Sequence, residues 1–405
     1  MKDTQVLEIS PSVKWIGVLD PDIRTFDIVM ETKFGTTYNS YLINAEKKAI
    51  VETVKEKFVD IFERKLRLQI DPVEVEYIIV NHTEPDHSGS IKRMLEMSPN
   101  ATIVGSGNAI RYLTDLLNCE FKYLVVKDGD ELSLGNMTLK FIGAPNLHWP
   151  DSMFSFLQEE NVLFTCDLFG AHYCHQNMYD DRVGNFDESF KYYFEVILCP
   201  FSRFIIKAIE KIRKLEIKAI CTGHGPILTS RWKRYVDLLE EYAKEYLMNP
   251  VKHTIFIGYV SAYSKTQELA EKLAEGMLMI DEVKVEIHDI ENMPLSQIDA
   301  LIAKSTAVVL GSPTINQNTL IQLYQTFAMI NPIRDRTKLF TSFGSYGWSG
   351  EAEKIITSAL SQLKLKHFGR NLFVKFTPKP NDYQMYVEFG KEFAQQLISS
   401  SCSEQ

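Results

Sequence analysis

No Cys-x-x-Cys pair occurs in this 405-residue chain, whose six cysteines stand apart at 119, 166, 174, 199, 221 and 402. That spacing excludes a zinc ribbon and a rubredoxin-type iron site. In a reducing compartment such cysteines serve as small buried hydrophobes. Basic residues are outnumbered, 44 Lys and Arg against 53 Asp and Glu, and the formal charge of −9 supplies no general basic surface for nucleic acid. The opening MKDTQVLEIS lacks the basic start and apolar core of a secretory signal. No apolar run approaches the length of a membrane-spanning helix, and neither an internal repeat nor a low-complexity segment is visible. These absences predict a soluble, cytoplasmic protein with no nucleic acid and no membrane as partner. An apolar fraction of 45% with 24% charged residues is that of an ordinary globular protein, and the length predicts two or three domains.

The first 250 residues read as short β-runs between polar turns. WIGVLD (15–20), TTYNSYLINA (36–45), KAIVE (48–52) and EYIIVN (76–81) are rich in β-branched and aromatic residues. VKEKFVDIFERKLRLQI (54–70) spaces its apolar residues as an amphipathic helix. Further strands are expected at ATIVG, FKYLVV, MTLKFIGA, SMFSFLQ and NVLFTC, before a helix at SRWKRYVDLLEEYAKEYL. Grouped strands with helices between and after them predict packed sheets covered by helices. MNPVK (248–252) reads as a linker. Beyond it β and α segments alternate: HTIFIGYV, VKVEIHDI, AVVLGS, KLFTSFGS and NLFVKFT are strands with helices between them. Five strands in about 150 residues predict a doubly wound parallel sheet. The expected division is 1–250 and 251–405.

YIIVNHTEPDHSGS (77–90) places His82, Glu84, Asp86 and His87 within six positions behind an apolar run. His82 and Glu84, two apart in extended chain, point to one face. Asp86 and His87 follow where the chain must turn, so one loop can serve two neighbouring metals. Two or three ligands do not close a site. His148 in PNLHWPDSM, Asp167 in LFTCDLFG and His224 in CTGHGP each end an apolar run from which a loop can reach a shared centre. A carboxylate such as Asp167 can bridge two metals with its two oxygens.

This arrangement resembles the metallo-β-lactamase fold, whose zinc hydrolases carry His-x-His-x-Asp-His in this loop. Here Glu84 replaces the second histidine. A hard anionic oxygen in place of imidazole moves the preference from zinc towards iron or manganese. With glutamate there, followed by separate His, Asp and His ligands, the chain resembles the flavodiiron proteins, or A-type flavoproteins. The resemblance implies an αββα sandwich followed by a flavodoxin-like five-stranded doubly wound sheet. It implies that His82, Glu84 and His148 bind one iron and Asp86, His87 and His224 the other, with Asp167 bridging. His172, in FGAHYCH, matches a histidine that family members often carry near the site, where it would act on the centre only through its neighbours.

The second half carries the companion signal. SAYSKT, residues Ser261, Ala262, Tyr263, Ser264, Lys265 and Thr266, runs from a strand straight into a helix. Hydroxyls and backbone N–H groups at a helix N-terminus suit a phosphate. Flavodoxins hold the phosphate of FMN with a similar loop: Ser or Thr, any residue, Thr, Gly, any residue, Thr. Ser261 and Thr266 match its ends, whereas Tyr263 and Ser264 depart from its middle. Two more loops follow parallel strands, where open α/β sheets bind ligands. GSPTIN contributes Ser312, Pro313, Thr314, Ile315 and Asn316, and FGSYGWSG contributes Ser345, Tyr346, Gly347 and Trp348. Tyr346 and Trp348 can lie against a flat isoalloxazine, and the glycines let backbone approach it.

The resemblance implies FMN and two non-haem irons per chain, with electrons passing from flavin to irons to O2, giving water, or to NO, giving N2O. It also implies a head-to-tail homodimer, or a dimer of such dimers. Without a cysteine-ligated iron module or a Gly-x-Gly-x-x-Gly after a strand, the expected electron donor is external: a rubredoxin, a separate reductase or a reduced deazaflavin. The rival reading is a binuclear metal-dependent hydrolase with an accessory flavodoxin domain. A third is a plain electron-transfer flavoprotein. Lys55 and Tyr263 each follow a strand and read as a solvated lysine and a turn tyrosine.

Overall fold

The structure, a computed structural model, describes residues 5–27, 30–248 and 253–402. The chain divides into two compact units, Met1–Met248 and Asn249–Gln405. Of the expected linker at 248–252, all but Met248 lies outside the described residues.

The first unit is built on two sheets. One has seven strands in the order Leu7–Glu8, Val13–Trp15, Tyr41–Ile43, Lys48–Val51, Val75–Val80, Thr102–Gly105 and Lys122–Val125. Its pairings are antiparallel as far as Lys48–Val51 and parallel beyond. The other runs Glu131–Ser133, Thr138–Gly143, Met153–Leu157, Val162–Cys166 and Ala219–Thr222, antiparallel except for the last pair.

Side-chain alternation builds the layers. Val51, Ile79 and Val104 of the first sheet meet Phe141, Leu157 and Phe164 of the second in an inter-sheet core. The alternate residues Ile50, Ile78 and Ile103 turn the other way and pack on helix residues Phe62, Leu66, Met94 and Leu113. On the outer face of the second sheet Phe154, Leu163 and Ile220 pack on Ile205, Ile209, Tyr235 and Leu239. The order is helix, sheet, sheet, helix. The expected strand at 15–20 divides into Val13–Trp15 and Val18–Asp20. At Gly17 between them a Cβ would stand 2.3 Å from the Tyr38 carbonyl, so the chain crosses that strand where only glycine fits.

The second unit has a wholly parallel sheet in the order Lys284–Asp289, Thr254–Tyr259, Ala307–Gly311 and Leu339–Tyr346, with a fifth position split between Lys366–His367 and Leu372–Lys375. Its central strands are apolar throughout because both faces are covered. Ile255, Ile257 and Val309 face the helices Lys265–Met277 and Pro380–Cys402. Phe256, Val308, Leu310 and Phe340 face the opposite set. The helices Lys265–Met277 and Pro380–Cys402 approach closely at two glycines. A Cβ on Gly276 would lie 1.9 Å from the Val387 carbonyl oxygen, and one on Gly390 2.2 Å from that of Leu273. Among the described residues no helix is long and apolar enough to cross a membrane.

Candidate metal centre and flavin loops

The strands Val75–Val80, Thr138–Gly143, Val162–Cys166 and Ala219–Thr222 are each followed by one stretch of the candidate centre. After Val80 the chain stays extended through His82 and Glu84, whose Nε2 and Oε2 lie 3.1 Å apart on one side. Pro85 then starts a single helical turn, Pro85–Ser88, which carries Asp86 and His87. Proline suits the first helical position, where its missing N–H costs nothing. In CTGHGP a Cβ on Gly223 would stand 2.8 Å from the His87 ring, so glycine lets that ring in.

All seven sequence-selected residues converge. Ligand-capable atoms of His82, Glu84, His148 and Asp167 lie within 4.8 Å of one another, as do those of Asp86, His87 and His224. Asp167 touches both groups. Its Oδ2 lies 3.3 Å from His82 Nε2 and 3.5 Å from His148 Nε2. Its Oδ1 lies 3.1 Å from His87 Nε2 and 3.6 Å from His224 Nε2. Glu84 Oε2 lies 3.0 Å from His148 Nε2, and Asp86 Oδ2 3.0 Å from His224 Nε2. Each imidazole therefore aims Nε2 at a carboxylate on the inner side.

Two of the outer nitrogens are held from behind. His82 Nδ1 lies 3.3 Å from Asp151 Oδ2, an oxygen that also accepts from the Thr83 amide and hydroxyl. His224 Nδ1 donates to the Thr37 carbonyl at 2.6 Å. Such partners fix tautomer and ring orientation. The Tyr193 hydroxyl donates to Asp167 Oδ1 at 3.1 Å from the last residue before the helix widens into a π turn, Phe194–Leu198. Asp151, Tyr193 and Thr37 carried no signal of their own in the sequence; WPDSM adjoins His148 closely enough that Asp151 was within reach of inspection.

Charge in this pocket is out of balance. Burial opposes protonation of His87, yet the carboxylates of Asp86 and Asp167 outweigh it and push it up to about 10. Burial likewise opposes a charged His82, and hydrogen bonds to Asp151 and Glu84 raise it. Asp167, though burial works against its charge, is held well below the usual carboxylate range by His87, His82 and His148. At the rim, burial and the charges of Glu84 and Asp86 push Asp27 up to about 6. Buried atoms Asp86 Oδ1 and Asp167 Oδ2 have no hydrogen-bond partner. Anionic oxygens and imidazoles of this kind, with unsatisfied inward atoms, fit a pair of divalent cations.

His172 stands beside the cluster. Its Nδ1 is 2.9 Å from Thr36 Oγ1 and its ring centroid 5.4 Å from that of His224. Burial, then the His224 charge, lowers it to about 3, so it stays neutral. Lys55 is not simply solvated: its Nζ lies 5.4 Å from the Phe26 ring centroid and 5.8 Å from that of Tyr38. Both rings pack edge-on to His224.

In the second unit, Ser261 Oγ accepts from the Gln267 amide, and buried Thr266 places its hydroxyl 3.5 Å from that of Ser345. Ser264 sits at φ +61°, in the left-handed region, as N-cap of Lys265–Met277. That is the position of the flavodoxin motif's glycine, so the departure in sequence keeps the glycine conformation. Lys265 pairs with Glu268 at 2.7 Å, while Ala262 and Tyr263 are exposed, Tyr263 at 86%. Thr314 donates its amide to the Ser345 carbonyl, joining the second loop to the third. Ser312 is buried and its hydroxyl donates to the Pro313 carbonyl. Ile315 and Asn318 pair across a tight turn in which Asn316 and Gln317 have positive φ. Trp348 is 74% exposed, and Tyr346 accepts the Phe376 amide through its carbonyl. Exposed Phe376, which would meet a Cβ on Gly347 at 3.2 Å, joins this aromatic rim unannounced by any motif.

A family model described as ODP family beta lactamase matches residues 36–225, and one described as Flavodoxin matches residues 257–390. The flavo-diiron protein FprA2 of Clostridium acetobutylicum is 36% identical over 403 residues, 96% of this chain and 99% of the relative. A protein named nitric oxide reductase from Moorella thermoacetica is 34% identical, covering 97% and 99%. The rubredoxin oxygen:oxidoreductase of Desulfovibrio gigas superposes with a TM-score of 0.77 at 29% identity, over 98% of this chain and 99% of that one. With a metallo-β-lactamase-like unit followed by a flavodoxin unit, the chain belongs to the flavodiiron protein family.

Proposed function

We propose that this chain is a flavodiiron reductase that takes electrons from an external donor and reduces O2 to water, NO to N2O, or both. The observation that carries it is the division of Asp167, one carboxylate oxygen facing His82 and His148 and the other facing His87 and His224. A lone structural carboxylate has no need of four imidazoles pointed at it.

Residues 1–250 are the diiron half and 251–405 the FMN half. His82, Glu84 and His148 would hold one iron and Asp86, His87 and His224 the other, with Asp167 offering an oxygen to each group. The residues of 261–266, 312–316 and 345–348 hold FMN. Bound there, FMN and the iron pair supply the electron transfer and the binding of a diatomic gas. The protein does the rest. Asp151 and Thr37 fix the imidazoles of His82 and His224. Tyr193 keeps a proton at its hydroxyl against Asp167, because burial and then the Asp167 charge raise it well above the usual phenol range. His172, buried and neutral, packs between Phe26 and Tyr193 beside His224 and keeps that side of the centre apolar. The names of relatives that act on oxygen with rubredoxin and on nitric oxide support the substrate range and the donor. A head-to-tail homodimer, in which the flavin of one subunit serves the irons of its partner, is part of this reading.

The test is anaerobic reduction of the purified protein, then an oxygen electrode and a nitric oxide electrode with N2O measured as product. Turnover of either gas is expected. Zinc in place of iron, with no gas consumed even after iron reconstitution, would replace this reading with the metal-dependent hydrolase.

A further inference from the structure

Of the three fully buried imidazoles in the centre, two have an evident partner at the outer nitrogen: Asp151 for His82 and the Thr37 carbonyl for His224. His87 Nδ1 has none, although the side chain is 1% exposed. Close by, Glu52 is also unfinished. It is 2% exposed, its Oε1 accepts from the Asn81 amide at 2.8 Å, and its Oε2 has no partner. Ligand-capable atoms of Glu52, His87 and Cys166 lie within 4.8 Å of one another. His87 Nε2 is already committed to Asp167 and Asp86. The unfinished donor and the unfinished acceptor thus belong to two neighbouring, fully buried side chains.

The chain is shaped to bring them there. Glu52 holds φ +59°, a left-handed conformation that an L-residue adopts only at a cost. Its amide donates to the Ile79 carbonyl and its carbonyl accepts from Ser40 Oγ, so the backbone is fixed on both sides. The next residue holds His87 as well. The Thr53 amide and hydroxyl both donate to the His87 carbonyl, at 2.9 and 2.5 Å. Strain at a buried acidic residue, sustained by neighbours that also hold a site residue, points to a role in the site.

We propose that Glu52 is the positioning residue of His87: its Oε2 accepts the Nδ1–H of the imidazole and so commits Nε2 to the metal face. The proposal rests on the diiron reading. It follows that both oxygens of Glu52 must accept, one from Asn81 N–H and one from His87 Nδ1–H. An ionised glutamate can do both, whereas a glutamine of the same shape must turn its NH2 towards one of two donors.

The test is anaerobic titration of the metal-free full chain with ferrous iron alone, comparing wild type with Glu52→Gln. Wild type takes up two irons. The variant should keep one site at wild-type affinity and weaken the other about 10–100-fold, the usual cost of losing such a partner. Its metal-free melting temperature serves as the control for a merely structural role, which would weaken both sites together. Equal affinity at both sites in variant and wild type would overturn the proposal, as would equal weakening of both. If wild type fails to bind two metals, the diiron reading itself fails, which is a separate outcome. A measurement on wild type covers a variant that does not fold. In zinc-loaded protein labelled with 15N-histidine, the His87 Nδ1–H should resist solvent exchange; rapid exchange, or a bare Nδ1, would contradict the assignment.

Discussion

Each compact unit buries a cluster of charges, and the two are neutralised in opposite ways. In the second unit Asp335 is fully buried between Arg334 and Lys338, 2.9 Å from each, and Arg334 also reaches Asp299 at 2.8 Å. Further donors go to backbone: Lys338 to the carbonyls of Ile302 and Ala303, Arg334 to that of Met329. Asp335 also accepts from the Asn331 amide. Every charge there has a counter-charge from the chain, and among the described residues no fully buried side-chain atom of the trio lacks a partner. The metal centre has three carboxylates, Glu84, Asp86 and Asp167, and among the described residues no Lys or Arg is ion-paired to any of them. The ion-pair partners of these carboxylates among the described residues are imidazoles, of which His82 and His87 are driven to take protons, and Asp86 Oδ1 and Asp167 Oδ2 are left without a hydrogen-bond partner. A buried ion cluster that completes itself holds a fold together; one that does not is waiting for a cation.

The largest expected effect comes from Asp167→Asn, which removes the charge shared by both groups. Iron content should fall below two per chain and gas consumption by more than about 100-fold, since even the partners of ligands are worth 10–100-fold. Elemental analysis with an electrode assay checks both. Asp335→Asn strikes the other cluster. It strands Lys338, leaves Arg334 with Asp299 alone, and should destabilise the second unit by about 3–5 kcal/mol while iron content stays unchanged. Hydrogen exchange resolved by segment tells the units apart.

A pH series sharpens the contrast. Burial opposes the charge on Asp335, but Arg334 and Lys338 hold it below its ordinary value. A depressed carboxylate contributes stability that is complete above its unfolded value, about 3.9, and is lost as pH falls through the folded one. The second unit should therefore hold its full protection down to about pH 4 and lose it below. Asp335→Asn should flatten that part of the profile. The smallest effect is expected from Ser264→Gly. It relieves a left-handed L-residue in the phosphate loop and should stabilise the FMN-loaded second unit by about 1 kcal/mol or less, read by denaturant titration.

The comparison also shows what a sequence makes legible. Alternation in EYIIVN and ATIVG was enough to place strands and layers, because each face of a strand has its own core. The seven residues of the centre stood out because four share one short stretch behind an apolar run and three more each end another such run, so their meeting needed only that those runs converge. Their supports did not stand out. Asp151, Tyr193 and Glu52 act across the fold, and in sequence they are an acid after proline, one of two adjacent tyrosines and the end of a strand. Arg334, Asp335 and Lys338, in the stretch IRDRTK, are buried without any motif to mark them. Nothing local distinguishes a charge that will meet its counter-charge from one that will meet water. Ser264 in the glycine position was an open question that only a backbone angle could answer.

The central claim is that the unbalanced cluster is a two-iron site. Mössbauer spectroscopy of anaerobically purified, 57Fe-grown protein tests it most directly. The account predicts about two irons per chain in two distinguishable environments, because one group offers Glu84 with two histidines and the other Asp86 with two. A single iron environment at one per chain, or protein that is fully folded and iron-free, would contradict it.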